Sequence, residues 1–286
     1  MTEYFGQEYQ RAQRTWEQIL PECSMNTIFI TPLWQSVWWK RFTPSGKLII
    51  EVVDDGEFDL GVIPLHINEG MASFIGDSNL YDYMDFPVVA GKEELFFTKA
   101  LKKISQLDWQ TLKLESIFED SPTLEFISDK SRALGMDVEI KESDKTPLVL
   151  LPDTWDEYLL QLRKKDRHEL RRKFRRLDAN GDSEQIEVNV DSENVDTVMD
   201  QFFDLMALSG EDKSIFLDTD NRGFFKDIAT SLSDSGQFRL FFLEINGVKV
   251  ATCICFDYGE NFLPVSYTHL RAHETRHDLV CRLLLE

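Results

Sequence analysis

No apolar run in these 286 residues approaches the roughly 18–20 needed to span a bilayer, which excludes an integral helical membrane protein. The first residues, Met-Thr-Glu-Tyr-Phe, lack the basic-then-apolar profile of a secretion signal, so a cytoplasmic location is expected. There are only four cysteines and no C-x-x-C pair, which excludes a disulfide scaffold and argues against a thiolate metal site. Cys253 and Cys255 share one face of an expected strand, and all four read as free thiols. There is no strand-to-helix nucleophile elbow around a Ser or Cys, so a covalent acyl-enzyme is not expected. Glycine is sparse, 14 residues with no Gly-rich phosphate loop. Positive charge is also short: 31 Lys+Arg against 51 Asp+Glu, a net −20.

What is present is a core-forming composition, 42% hydrophobic with 21 Phe and 6 Trp, enough apolar surface to offset the entropy of ordering. The length allows two modest domains. Helical and strand patterns interleave in both halves. Glu3–Leu20 and Trp34–Phe42 read as helices, and Lys47–Val53 and Glu57–Ile67 as strands joined through Asp54-Asp55-Gly56. Ala72–Ile75 and Met84–Val89 read as extended, Lys92–Leu107 as helix, and Trp109–Glu115 as strand. A helix capped by Ser121-Pro122 runs to Gly135, and extended Val138–Lys141 and Pro147–Leu151 close the first half.

In the second half, Ile186–Val190 reads as strand, while Val195–Leu208 and Arg222–Leu232 read as helices. Phe238–Ile245 and Val248–Phe256 form a hairpin around Asn246-Gly247, and Phe262 begins one more strand. Antiparallel hairpins among helices predict a mixed α/β (α+β) protein rather than a doubly wound parallel sheet.

The charge is uneven. Arg163–Arg176 holds nine Lys/Arg against two acids, a local +7, so everything else carries −27. This block is expected on one long helix, started by Asp153 or Thr154, with Thr154 and Glu157 as a capping box and Asn180-Gly181 as the stop. Leu159, Leu162, Asp166, Leu170, Phe174 and Leu177 mark its thin buried stripe. Three readings of the basic face stay open: a solvated surface, recognition of an anion such as CoA phosphates or an acidic acceptor, or nucleic acid. Arg167, Arg171 and Arg175 share one face at i, i+4 spacing and are the candidate anion ligands.

Asp82 and Asp85 lie among aromatics in Tyr81-Asp82-Tyr83-Met84-Asp85-Phe86, where a raised carboxyl could take a proton from an attacking amine. The alternative is an Asx-turn capping a strand. Lys213 reads as a solvated loop lysine or a partner for an acid, His168 as exposed, and His66 as strand surface. Trp34, Trp38 and Trp39 read as core, or secondarily as a wall for an acceptor.

His273-Glu274-Thr275-Arg276-His277 fits H-E-x-x-H, a zinc-protease pattern, but only nine residues follow it to supply a third ligand, so no metal is expected. The run from Val265 to Glu286 resembles translated adapter or vector read-through, and the genuine sequence is expected to end near Pro264.

Several blocks in order carry a family resemblance: Thr31-Pro32-Leu33-Trp34 with Trp38-Trp39 and Phe42, Gly61-Val62-Ile63-Pro64-Leu65, Phe74-Ile75-Gly76 running to Asp85, and Leu148 to Gly181 including Lys164-Lys165-Asp166-Arg167-His168-Glu169-Leu170-Arg171-Arg172-Lys173. Lys213 with Phe216-Leu217, Phe224-Phe225 and Asn246-Gly247-Val248-Lys249-Val250-Ala251 complete the set. Together they resemble the BioF2-like acetyltransferases, a branch of the GNAT superfamily related to the FemAB-type acyl and aminoacyl transferases.

The resemblance implies a tandem GNAT-like fold: residues 1–145 a degenerate first domain, 146–264 an incomplete second domain, and 265–286 a non-native tail. It implies acetyl-CoA or another acyl-CoA as co-substrate, with the pantetheine arm on the backbone of Val248–Phe256 at Val250, Ala251 and Thr252. The acceptor would be a small molecule or cell-envelope precursor bearing an amine or hydroxyl. Aminoacyl-tRNA is the alternative donor, and a non-catalytic anion-binding module is the rival outside enzymes. The phosphate-binding turn would lie beyond Pro264, so this chain is expected to be a truncated, inactive fragment.

Overall fold

The computed structural model describes residues 5–143 and 145–269. The chain divides into two compact units, 1–145 and 146–286.

In the first unit, α1 (Gln10–Ile19) and α2 (Pro32–Phe42) precede β1 (Lys47–Asp54), β2 (Asp59–Asn68) and β3 (Met71–Phe74), followed by α3 (Glu93–Ile104), β4 (Thr111–Lys113) and α4 (Pro122–Ala133). α2 starts where the sequence dictates, with Thr31 Oγ1 accepting from Trp34 N and Pro32 in the first turn. The sheet runs β1-β2-β3-β4, antiparallel except for the β3–β4 pair. Pro64 sits inside β2 at the end of its pairing with β3, which runs from Leu65 with Phe74 to Asn68 with Met71. Its carbonyl accepts from Ile75 N, and only the reciprocal donor of that last position is missing. Gly61 is dictated by packing, since a Cβ there would lie 2.7 Å from the Phe96 ring and 2.5 Å from Pro87 O. Phe96, Phe97, Ala100, Leu101 and Ile104 bury one face of α3, and Trp16, Phe29 and Trp34 complete the core.

The second unit contains α5 (Trp155–Gln161), α6 (Lys164–Ala179), β5 (Ser183–Val188), α7 (Val195–Ser209), α8 (Glu211–Phe216), α9 (Thr219–Leu232), β6 (Phe238–Ile245), β7 (Val248–Tyr258) and β8 (Asn261–His269). Its sheet, β5-β6-β7-β8, is antiparallel throughout. Asn246 and Gly247 both adopt positive φ in the two-residue turn between β6 and β7, the geometry that matches strand twist. Met199, Phe202 and Phe203 of α7 and Phe224, Ile228 and Ala229 of α9 are buried with Leu240, Phe242, Ile254 and Phe256 of the sheet. Arg239 ties three strands, donating to both Glu187 carboxylate oxygens on β5 and to Asp257 on β7 at 3.2 Å.

Several expectations are corrected. The single long basic helix is two, because Leu162 and Arg163 are extended. Thr154 caps α5 as expected, accepting from Glu157 N at 3.2 Å. The Leu159 carbonyl, which in an unbroken helix would accept from the amide of residue 163, instead accepts from Arg167 Nη1 at 3.0 Å. The stripe shifts accordingly: Leu159, Leu170 and Lys173 are buried, whereas Phe174 is 38% exposed. Val138–Lys141 and Pro147–Leu151 form no strand, and Met84–Val89 contributes only isolated bridges, Gly61 with Val88 and Cys23 with Val89. Lys213 lies in α8 and is half-buried rather than on a solvated loop. β8 continues past Pro264, with Val265 as the extra residue of a β-bulge opposite Ile254 and Cys255, and buries Thr268. Residues 270–286, which hold most of the suspected read-through and all of the H-E-x-x-H motif, lie outside the described residues.

Candidate functional site

The basic block is only partly available as a binding surface. Arg163 pairs with Asp166 at 2.7 Å and Arg172 with Glu169 at 2.5 Å, each three residues away on the same helical face. Lys173 is buried, and Arg167 is tied to Leu159 O. Arg171 and Arg175 are exposed and make no ion pair among the described residues. Lys164, Arg167, His168 and Arg171 line a cleft of about 420 Å³ together with Asp156, Leu159 and Leu160. Arg167 and Arg171 therefore share one concavity with two further cationic or ionisable groups, while Arg175 stands one turn beyond. His168 is exposed, as the sequence suggests.

Val250, Ala251 and Thr252 lie on β7 near the start of its pairing with β8. β7 is central in its sheet: Ala251 pairs with Leu243 and His269, and Thr252 with Phe242 and Thr268. Both residues are fully buried, and Thr252 Oγ1 donates to Phe241 O at 2.9 Å. Val250 is the extra residue of a β-bulge between Leu243 and Glu244. An added strand needs an open ladder; Ala251–Tyr258 of β7 are paired on both sides, whereas Val248–Val250 have no described partner on the side away from β6. Among the described residues the open ladders in this sheet belong to β5, to β8 and to the Val248–Val250 end of β7. The sequence could not reveal this because β8 carries no stronger signal than β7; only the pairing order shows which of them is at the edge.

Asp82 and Asp85, three residues apart, have contrasting surroundings. Asp82 is at the loop surface, accepts no hydrogen bond from protein among the described residues, and is raised from its ordinary value by partial desolvation of its carboxyl. Asp85 is 3% exposed. Its carboxylate accepts from Ser121 Oγ at 2.5 Å, from Thr123 Oγ1, and from Phe86 N at 2.8 Å. Burial raises this carboxyl more than the three donors lower it. Asp85 thus clamps the loop to the first turn of α4, whose N-cap is Ser121. The Ser121-Pro122 cap is legible in the sequence; its partner 36 residues earlier is not. The Asx-turn of this loop belongs to neither of them but to Asp77, which accepts from Asn79 N at 2.7 Å.

Gly76 anchors the same loop at φ +152°, and a Cβ there would lie 2.8 Å from the Tyr81 ring and 3.1 Å from Met84 Sδ. Gly76→Ala is expected to destabilise the first unit by about 2 kcal/mol or more through strain and overpacking. Urea unfolding followed by tryptophan fluorescence checks it, because five of the chain's six tryptophans are in that unit.

Trp34 and Trp38 are buried core, and Trp39 is half-buried. His66 is more enclosed than strand surface. Its Nδ1 lies 3.1 Å from Phe74 O and its ring 6.0–6.2 Å from Trp38 and Trp39, and burial lowers its pKa. Cys253 and Cys255 are buried free thiols 3.3 Å apart, and the hydrogen bond with the Cys253 thiol, together with desolvation, raises Cys255. Cys281 lies outside the described residues.

Residues 164–282 match the family model of the acetyltransferase (GNAT) domain. No curated protein matches the chain. Among solved structures, a crystal structure of FemX superimposes with a TM-score of 0.60 at 12% identity, covering 91% of this chain and 80% of that one. A conserved protein of unknown function from Bacteroides thetaiotaomicron VPI-5482 aligns at 10% identity and a TM-score of 0.45, covering 85% of this chain and 73% of that one. The mixed α/β architecture is therefore one that FemX shares, and the GNAT match falls on the basic helix and the sheet that follows it.

Proposed function

We propose that this chain is a GNAT-type, BioF2-like N- or O-acyltransferase that moves an acyl group from CoA to an amine or hydroxyl on a small-molecule or cell-envelope acceptor. The observation that carries the reading is the GNAT-domain match over 164–282, which falls on a sheet whose β8 edge is open among the described residues and on a helix where Arg171 and Arg175 make no ion pair among them. The β8 edge would take the pantetheine arm as an added strand, and Arg167, Arg171 and Arg175 its phosphates. The acceptor attacks the thioester carbonyl, the new C–N or C–O bond forms as the C–S bond breaks, and CoA leaves as the thiol. Of the two candidate carboxylates, both in the first unit, Asp82 at the loop surface is the one left open to take a proton, and Asp85 is assigned to holding the loop. In this reading residues 1–145 are the degenerate GNAT-like half and 146–264 the acyl-CoA half. Cytoplasmic location goes with it, and no helix among the described residues is long and apolar enough to cross a membrane.

A second reading, aminoacyl transfer from tRNA, is favoured by the +7 of the basic block and by the fold shared with FemX. Calorimetric titration separates the two. Saturable binding of acetyl-CoA at one site is the expected result, whereas no heat with acetyl-CoA alongside saturable tRNA binding replaces the first reading with the second.

A further inference from the structure

The second unit opens on an apolar run that the described part of its fold leaves bare. Leu148, Val149, Leu150 and Leu151 are 74%, 51%, 79% and 72% exposed. Residues 147–153 make no backbone hydrogen bond to any described residue. Four consecutive aliphatic side chains facing water, on a backbone whose donors and acceptors are all unspent, form the raw material of a strand without a partner. Pro147 and Pro152 bracket the run and limit such a strand to the residues between them.

The apolar surface continues onto α5. Trp155 is 52% exposed and held in place by stacking on Tyr158 at 5.4 Å and an edge contact with Phe174 at 6.1 Å. Leu160, 73% exposed, stands between the basic cleft and a second cleft of about 520 Å³ lined by Pro152, Asp153, Glu157 and Gln161. Monomeric proteins rarely leave so large a contiguous apolar patch in water.

We infer that this patch is where a second copy of the chain docks, the two Leu148–Leu151 runs pairing antiparallel about a two-fold axis with Trp155 and Leu160 packed at their flanks. Size supports this occupant: the six side chains expose roughly 800 Å², about what each partner buries in a standard stable interface. So does charge. Two chains of −20 repel almost everywhere, but this run carries no charge at all. Around Leu160 the rim is also self-complementary, with Asp153 and Glu157 before it and Lys164 and Lys165 after it. A two-fold rotation sets the acids of one copy against the lysines of the other.

Sedimentation velocity on the full chain over a hundredfold concentration range tests this. The expected result is a concentration-dependent rise from 33.3 kDa to twice that mass. Leu148→Lys with Leu150→Lys, both at exposed positions, should hold the chain at monomer mass with an unchanged circular-dichroism spectrum. Glu157→Lys should weaken the dimer about tenfold or more, and adding Lys164→Glu should restore it. Monomer mass at every concentration, or a dimer indifferent to the two lysines at 148 and 150, overturns the inference. So does protection of amides 148–151 from hydrogen exchange in the monomer, which would mean that the chain covers its own patch.

Discussion

Asp85→Ala should cost about 3 kcal/mol or more of folding stability, the largest single-residue effect expected outside the aromatic core. The substitution removes an acceptor serving Ser121 Oγ, Thr123 Oγ1 and Phe86 N in a place where water cannot replace it. Hydrogen bonds to a charged group are each worth about 1.5–3 kcal/mol, and the deletion leaves three donors desolvated at once. The three contributions share one carboxylate and will not add in full. Asp85→Asn keeps an acceptor oxygen and the volume, and the hydroxyls of Ser121 and Thr123 can rotate to suit an amide. It should therefore lie within about 1 kcal/mol of wild type near neutrality. Equal losses for Ala and Asn in urea unfolding would show that the charge, rather than the acceptor, holds the clamp.

The same pair fixes a pH dependence. Burial raises the native Asp85 carboxyl above its unfolded value of about 3.9. A group with a raised native pKa binds its proton more tightly folded than unfolded, so its contribution to stability is complete below the unfolded value and is lost as pH rises through the native value. The stability of wild type relative to Asp85→Asn should accordingly fall as pH climbs from about 3.9 and level off once the native carboxyl has ionised. A difference that instead grows with pH would mean that the three donors outweigh desolvation.

How much of this was legible beforehand follows from which interactions are local. Thr31-Pro32, Ser121-Pro122, Thr154 with Glu157, and Asn246-Gly247 state their structural meaning within four residues, and each folds as its pattern dictates. The break at Leu162–Arg163 is not local, because it turns on where the Arg167 guanidinium goes. Helical periodicity alone continues smoothly through it. The unpaired run at Leu148–Leu151 misled for a related reason: a short aliphatic run shows that a segment suits a strand, not that a neighbour is there to receive it. The placement of Val250–Thr252 within the sheet is likewise not local, since which strands flank them is a property of sheet order. Asp82 and Asp85 looked alike in sequence, and only the position of α4 separates a clamped carboxylate from an exposed one.

Charge reversal at Arg171 and Arg175 together should weaken binding of acetyl-CoA about 30- to 100-fold while leaving the thermal midpoint within a few degrees of wild type. Both side chains are exposed, so the fold does not depend on burying them, and neither holds an acid among the described residues. Each charge-assisted bond to a phosphate contributes about 1.5–3 kcal/mol where water is excluded and less on an open helix face, so about 2–3 kcal/mol for the pair is the reasonable scale. Arg167 is the wrong first target despite lining the cleft. Its guanidinium also closes the α5–α6 junction on Leu159 O, and its loss would mix binding with folding. Arg171→Lys separates fork geometry from charge: a loss close to that of Arg171→Gln would mean bidentate recognition of a phosphate, and near-complete retention would mean a purely Coulombic contact. Unchanged affinity in the doubly reversed protein, at low and at high salt, would assign the basic face to solvent and move the search for the phosphate site elsewhere in the 164–282 domain.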